Sequence, residues 1–244
     1  MKKIEKKIEK IDYATVIPRF DGILARGLCI GTGGDGQMCL TTALCAAVRL
    51  SPCAQLTSVT WTALAFSLEL NDSPDWQSPA SRATHLRDLG VAQLGSTGVV
   101  GPRAFARILA RKTIQHLLPQ LVREVCPGQF TGLVERCEHE GTSQAAQALA
   151  DAVLVAADRA PEIAVTATAA LCAARAADPG SSDLTRAAAA AWVARTAATA
   201  PIDDGESYLI LSARLACEVL QELGSQGCAW LRHDHGLADV VSAG

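Results

Sequence analysis

The chain has 244 residues, of which 49% are apolar, 4% aromatic and 19% charged, and its formal net charge is -3 at pH 7. A chain of this length buries about 70–75% of the surface it exposes when unfolded, which argues for one folded domain or two small ones and against disorder. No apolar run reaches the ~18–20 uncharged residues of a membrane helix, the start MKKIEKKIEKID lacks the apolar stretch of a signal peptide, and the mild negative charge offers nucleic acid no global field. The expectation is a cytoplasmic protein without membrane insertion.

The first twelve residues are composed differently from the rest. Five of the six lysines stand there, and the sixth is Lys112. Without residues 1–12 the chain keeps 17 basic and 22 acidic residues, a charge of -5. Ile4, Ile8 and Ile11 follow the 4-then-3 spacing of an amphipathic seam, too short to hold together alone. The segment reads as a charged helical extension.

Helical punctuation runs through residues 13–126. After the glycine-rich turn at 31–36, residues 37–50 (QMCLTTALCAAVRL) form an apolar helix with Asp35 placed as N-cap, stopped by Pro52. The stretch 54–70 is read as a second helix despite Thr57, Val59 and Thr60, because it runs about 16 residues with no partner strand. NDSPDWQSP at 71–79 is a turn that ends with Ser78 as N-cap and Pro79 at the first position of a helix over 79–94. GSTGVVG at 95–101 is a loop. Pro102 opens a helix to about 126, kinked at Pro119.

Residues 127–143 read as a connecting segment, beyond which the composition changes. Residues 142–200 hold 25 alanines in 59 positions, with Trp192 as the only aromatic. Alanine favours helix and lets helix axes approach closely. Breaks at Pro161, at Asp178-Pro179-Gly180 and at Pro201 predict helices over about 144–159, 162–177 and 182–199. A last helix over 204–223 starts at Asp204 and stops at Gly224. The fold class expected is all-α, a multi-helix antiparallel bundle or helical-pair solenoid with an Ala-rich C-terminal half over 144–244.

Gly31-Thr32-Gly33-Gly34-Asp35-Gly36 satisfies G-x-G-x-x-G and leads into a helix, so its backbone N–H groups are candidates for receiving an anion. The dinucleotide reading fails on context: no acidic residue stands about 20 positions on and no βαβ pattern follows. Arg103, Arg107 and Arg111 recur every four residues on one helical face, opposite Phe105, Ile108 and Leu109, as a candidate docking face for an acidic partner. In Glu135-Arg136-Cys137-Glu138-His139-Glu140, Glu135 and His139 share a face. A metal site would need Cys137 and His139 with His233 and His235 of the tail, and no CxxC or HExxH supports one. The nine cysteines show no CxxC and read as reduced core residues, including Cys39, Cys45, Cys172 and Cys217. Asp72, Asp75, Asp203 and Asp204 sit in turns, where aspartate caps. Trp61, Trp76, Trp192 and Trp230, each isolated among aliphatic residues, read as anchors of core or interface packing.

No metal or cofactor is implied. The expected function is a non-enzymatic interaction or scaffolding protein, docking protein partners or self-associating through helix faces. The alternative is an enzyme or ligand-binding protein that receives an anionic small molecule at Gly31–Gly36. Nucleic acid is disfavoured, because the Ala-rich half lacks stacking aromatics.

Overall fold

The helical segments become eleven α-helices in the computed structural model, which describes residues 11–31, 36–49 and 59–231. Residues 1–10, Thr32–Asp35, the stretch 50–58, and the stretch 232–244 with His233 and His235 lie outside the described residues. The helices are α1 Tyr13–Leu24, α2 Leu40–Ala47, α3 Trp61–Asn71, α4 Pro79–Gln93, α5 Pro102–Lys112, α6 Leu118–Val125, α7 Thr131–Glu140, α8 Ser143–Ala157, α9 Ala164–Ala177, α10 Asp183–Ala198 and α11 Glu206–Glu222. A closing helical turn follows at 226–231. Among the described residues there is no strand, only an isolated bridge between Leu28 and Met38. The chain is an all-α multi-helix bundle, and no helix among the described residues is long and apolar enough to cross a membrane.

Several boundaries follow the local chemistry. The Ser78 hydroxyl accepts from the Ser81 N–H at the start of α4, Thr142 from Ala145 at α8, and Ser182 from Thr185 at α10. Gly224, at φ 77°, ends the last turn beyond α11. At Pro119 the missing N–H leaves the Gln115 carbonyl without its helical donor, and the backbone widens just before it into a π turn at Thr113–Leu117.

Other boundaries depart from the sequence reading. The second helix begins at Leu40 rather than Gln37, so the N-cap position is Cys39 and not Asp35. The third begins at Trp61 rather than 54, because Thr60 is extended and gives its N–H to the Ser96 hydroxyl at 2.8 Å. The last begins at Glu206, although Asp204 still accepts from the Ser207 N–H at 3.3 Å. The connecting segment 127–143 contains α7. A helix not read at all, α1, holds Pro18 in its interior. Pro18 and Ala14 are both exposed, which leaves the carbonyl that loses its donor open to water.

The Ala-rich helices run up and down. Ser143 at the start of α8 donates to the Ala174 carbonyl near the end of α9, and Arg186 early in α10 donates to the Ala176 carbonyl, so α8, α9 and α10 are antiparallel neighbours. Buried alanines, Ala169, Ala170 and Ala173 on α9 and Ala187, Ala190 and Ala194 on α10, let these helices pack closely. α10 also lies along α3 and α5, while α11 lies along α4. Arg87 of α4 grips Asp21 of α1 through two hydrogen bonds of 2.7 and 3.0 Å. The buried apolar residues form one cluster from Tyr13 on α1 to Cys228 in the closing turn.

Candidate functional site

The glycine-rich turn is held at both flanks by the end of α3. The Asp72 carboxylate accepts the Gly31 N–H at 3.2 Å. The Asn71 side chain accepts the Leu40 N–H at 3.2 Å and donates to the Cys29 carbonyl at 3.0 Å and to Asp72 at 2.8 Å. Two donors at the ends of this turn are therefore satisfied from within the protein, including the N–H of the first residue of α2. Gly31 and Gly36 adopt φ of 68° and 80°, which glycine tolerates at no steric cost. Thr32, Gly33, Gly34 and Asp35 lie outside the described residues.

Beneath the turn lies a buried polar network. Arg82 of α4, 5% exposed, donates to the Leu28 carbonyl at 2.9 Å and the Ser73 carbonyl at 3.2 Å. Burial works against the charge on its guanidinium, while neighbouring Cys29, Asp72 and Glu206 favour it. Glu206, the first residue of α11, is 6% exposed and accepts the Gln77 N–H at 3.0 Å and the Ser81 hydroxyl at 2.7 Å. The network joins the 25–31 segment, α3, α4 and α11. The sequence reading missed Arg82, Asn71 and Glu206 as members, because their long-range partners lie 9 to 129 positions away.

The arginine face forms as its spacing predicts. Arg103, Arg107 and Arg111 are exposed along α5, Phe105 and Leu109 are buried on the other side, and Ile108 is half-buried. None of the three arginines makes an ion pair or hydrogen bond among the described residues, whereas Lys112 at the next position is clamped by Glu222 at 2.7 Å and Glu218 at 3.0 Å. Those two carboxylates of α11, Glu222 first, hold the Lys112 ammonium above its usual pKa range. The backbone at Gly141, after α7, closes against the Arg111 and Gln115 stems.

Among the described residues, the potential metal ligands Cys137 and His139 do not share a face. Cys137 is buried on α7, its thiol pushed up to about 11 chiefly by burial, whereas Glu135 and His139 are exposed on another face. Glu138 is held by Arg123 in a bidentate pair at 2.8 Å, which lowers the carboxylate's pKa, and Glu140 by Arg136 at 2.9 Å, with the same effect. No group of three or more His, Cys, Asp or Glu side chains is placed to hold a metal among the described residues. The eight described cysteines are thiols rather than disulfides, and five of them are buried.

A shallow groove runs between the π turn, α6, α7 and α11, with His116, Arg123, Glu124, Glu138 and Leu211 on its walls. Its polar groups are largely occupied by one another: Glu124 accepts from Gln120 at 3.0 Å and from the Tyr208 hydroxyl at 2.6 Å, and Arg123 pairs with Glu138. Nothing here places a nucleophile beside a base. Comparison of the chain with protein-family models, curated proteins and solved structures returns no match.

Proposed function

We propose that the chain is a non-enzymatic helical interaction protein that docks an acidic segment of a protein partner on the α5 face of Arg103, Arg107 and Arg111. The observation that carries this reading is three exposed guanidiniums at successive turns of one helix, free of ion pairs among the described residues, whereas other unpaired exposed arginines such as Arg26, Arg159 and Arg214 stand singly and Arg87, Lys112, Arg123, Arg136 and Arg195 are each matched to a carboxylate. Guanidiniums form planar, bidentate hydrogen bonds with carboxylates, and a row at about 6 Å intervals suits an extended or helical acidic segment.

The experiment is binding of a fluorescein-labelled oligoglutamate to the full chain, followed by anisotropy at low and physiological salt. Binding that disappears in the R103E/R107E/R111E variant supports the reading. Absence of binding at low salt overturns it. Tighter binding of a single-stranded oligonucleotide than of oligoglutamate, with a steep salt dependence, replaces it with a nucleic-acid role.

A further inference from the structure

The helices α3 and α10 are rich in apolar residues and buried around most of their circumference, yet each leaves one stripe toward solvent. On α10 the stripe reads Leu184, Thr185, Ala188, Trp192, Arg195 and Thr196, and on α3 it reads Trp61, Ala65, Leu68 and Glu69. A helix that is apolar all round is normally covered on every side. Here Trp61 is 55% exposed, Leu184 48%, Trp192 44% and, on adjacent α9, Leu171 39%. The stripes form one face. Arg195 stacks on Trp192 at 4.2 Å from the ring and pairs with Glu69 at 2.7 Å, which joins α10 to α3, while the Cys172 thiol meets Thr196, which joins α9 to α10.

We propose that this face is a self-association surface, occupied by the same face of a second copy of the chain, with the two α10 helices crossing antiparallel at Ala188. The inference rests on the interaction reading above and assigns it a different surface. Leu184 and Trp192 stand four residues to either side of Ala188, so the α10 stripe sets a large apolar residue on each side of a small one. Rotation by a two-fold axis at Ala188 sets Leu184 of each copy against Trp192 of the other, and alanine against alanine permits axes to approach to about 8 Å.

Charge points to the same occupant. The carboxylate and guanidinium on the α3 and α10 stripes, Glu69 and Arg195, satisfy each other within one copy. These stripes thus present no net charge to select a charged partner, and two copies meet there without like-charge repulsion. The exposed parts of Trp61 and Trp192 amount to about 100 Å² each, together about a quarter of the ~800 Å² that a standard interface takes from each partner, and tryptophan and arginine are enriched at the energetic centre of such interfaces.

Sedimentation equilibrium of the full chain tests the proposal. The expected result is a mass about twice the 25.5 kDa of one chain at micromolar concentration, falling to one chain in Trp192→Glu and in Leu184→Glu, with helical circular dichroism unchanged. In addition, Ala188→Cys is expected to give a disulfide-linked dimer on mild oxidation that neither the parent chain nor Gly132→Cys on exposed α7 gives. A monomeric parent overturns the proposal, as does a dimer that survives Trp192→Glu. If the glutamate variants fail to fold, absence of the Ala188→Cys cross-link overturns it. A monomer that still binds oligoglutamate through α5 removes this inference alone, and a dimer that binds none removes only the arginine-face reading.

Discussion

The ring of Tyr13, the first residue of α1, stacks on Trp230 of the closing turn with centroids 5.2 Å apart and planes 20° from parallel. The start and end of the described bundle thereby close on one another over the end of α4. The Tyr13 hydroxyl donates to the Leu94 carbonyl at 3.0 Å, which also accepts the Gly227 N–H, and Ser225 donates to Ala92 at 2.5 Å.

Alkaline pH is expected to weaken this closure. Burial, with Cys228 adding to it, pushes the Tyr13 phenol from 10.0 up to about 12. Because the folded pKa is raised, the contribution is fully present below pH 10 and is lost as pH rises to about 12, each tenfold change in proton affinity being worth about 1.4 kcal/mol. The Tyr208 phenol is raised in the same sense by burial and by Glu124. Thermal melts from neutral pH to pH 12 are expected to fall first above about pH 9, where buried thiols such as Cys137 come into play, and then further above pH 10, the second fall being less steep in Tyr13→Phe. At pH 7 that variant loses about 1 kcal/mol, because Leu94 keeps its second donor.

Two helical glycines are expected to respond with opposite sign to alanine. At Gly90 in α4 a Cβ would stand 2.6 Å from the buried Phe20 ring, so Gly90→Ala costs about 1–3 kcal/mol despite its helix propensity. At Gly132 in α7 nothing lies within 4 Å, and the same change stabilises by up to about 1 kcal/mol. Urea unfolding of the two variants beside the parent checks both signs.

Glu206→Ala leaves the Gln77 N–H and the Ser81 hydroxyl without their acceptor in a buried site, for an expected loss of about 2–3 kcal/mol. Glu206→Gln keeps a carbonyl oxygen there and is expected to lose less. Equal losses in chemical denaturation would show that the charge, rather than the acceptor, matters.

Close approach in the Ala-rich layer predicts intolerance to size. Ala170 on α9 is fully buried, and Ala170→Leu is expected to cost about 1–3 kcal/mol although leucine is nearly as good a helix former. A cost below about 0.5 kcal/mol, the scale of exposed substitutions, would mean that the layer is loosely packed.

Short-range chemistry was legible in the sequence. Ser78 before Pro79, the breaks near Pro161 and Pro201, and the four-residue rhythm of Arg103, Arg107 and Arg111 against Phe105 and Leu109 each operate within a turn or two of helix, so their outcome needs no knowledge of the rest of the chain. Helix α1 was hidden by Pro18, and α7 by Gly132 and a run of charged residues, because both helices depend on what packs beneath them. Tertiary structure alone decided that Asn71 would occupy the first N–H of α2, that Glu206 would reach the start of α4 from 129 positions away, and that Trp192 and Trp61 would stay exposed while Trp76 was buried. Capping and periodicity are local energies written in neighbouring residues. Burial and long-range hydrogen bonding depend on which helices become neighbours, and many alanine-rich helices of similar length pack together about equally well until the whole core is assembled.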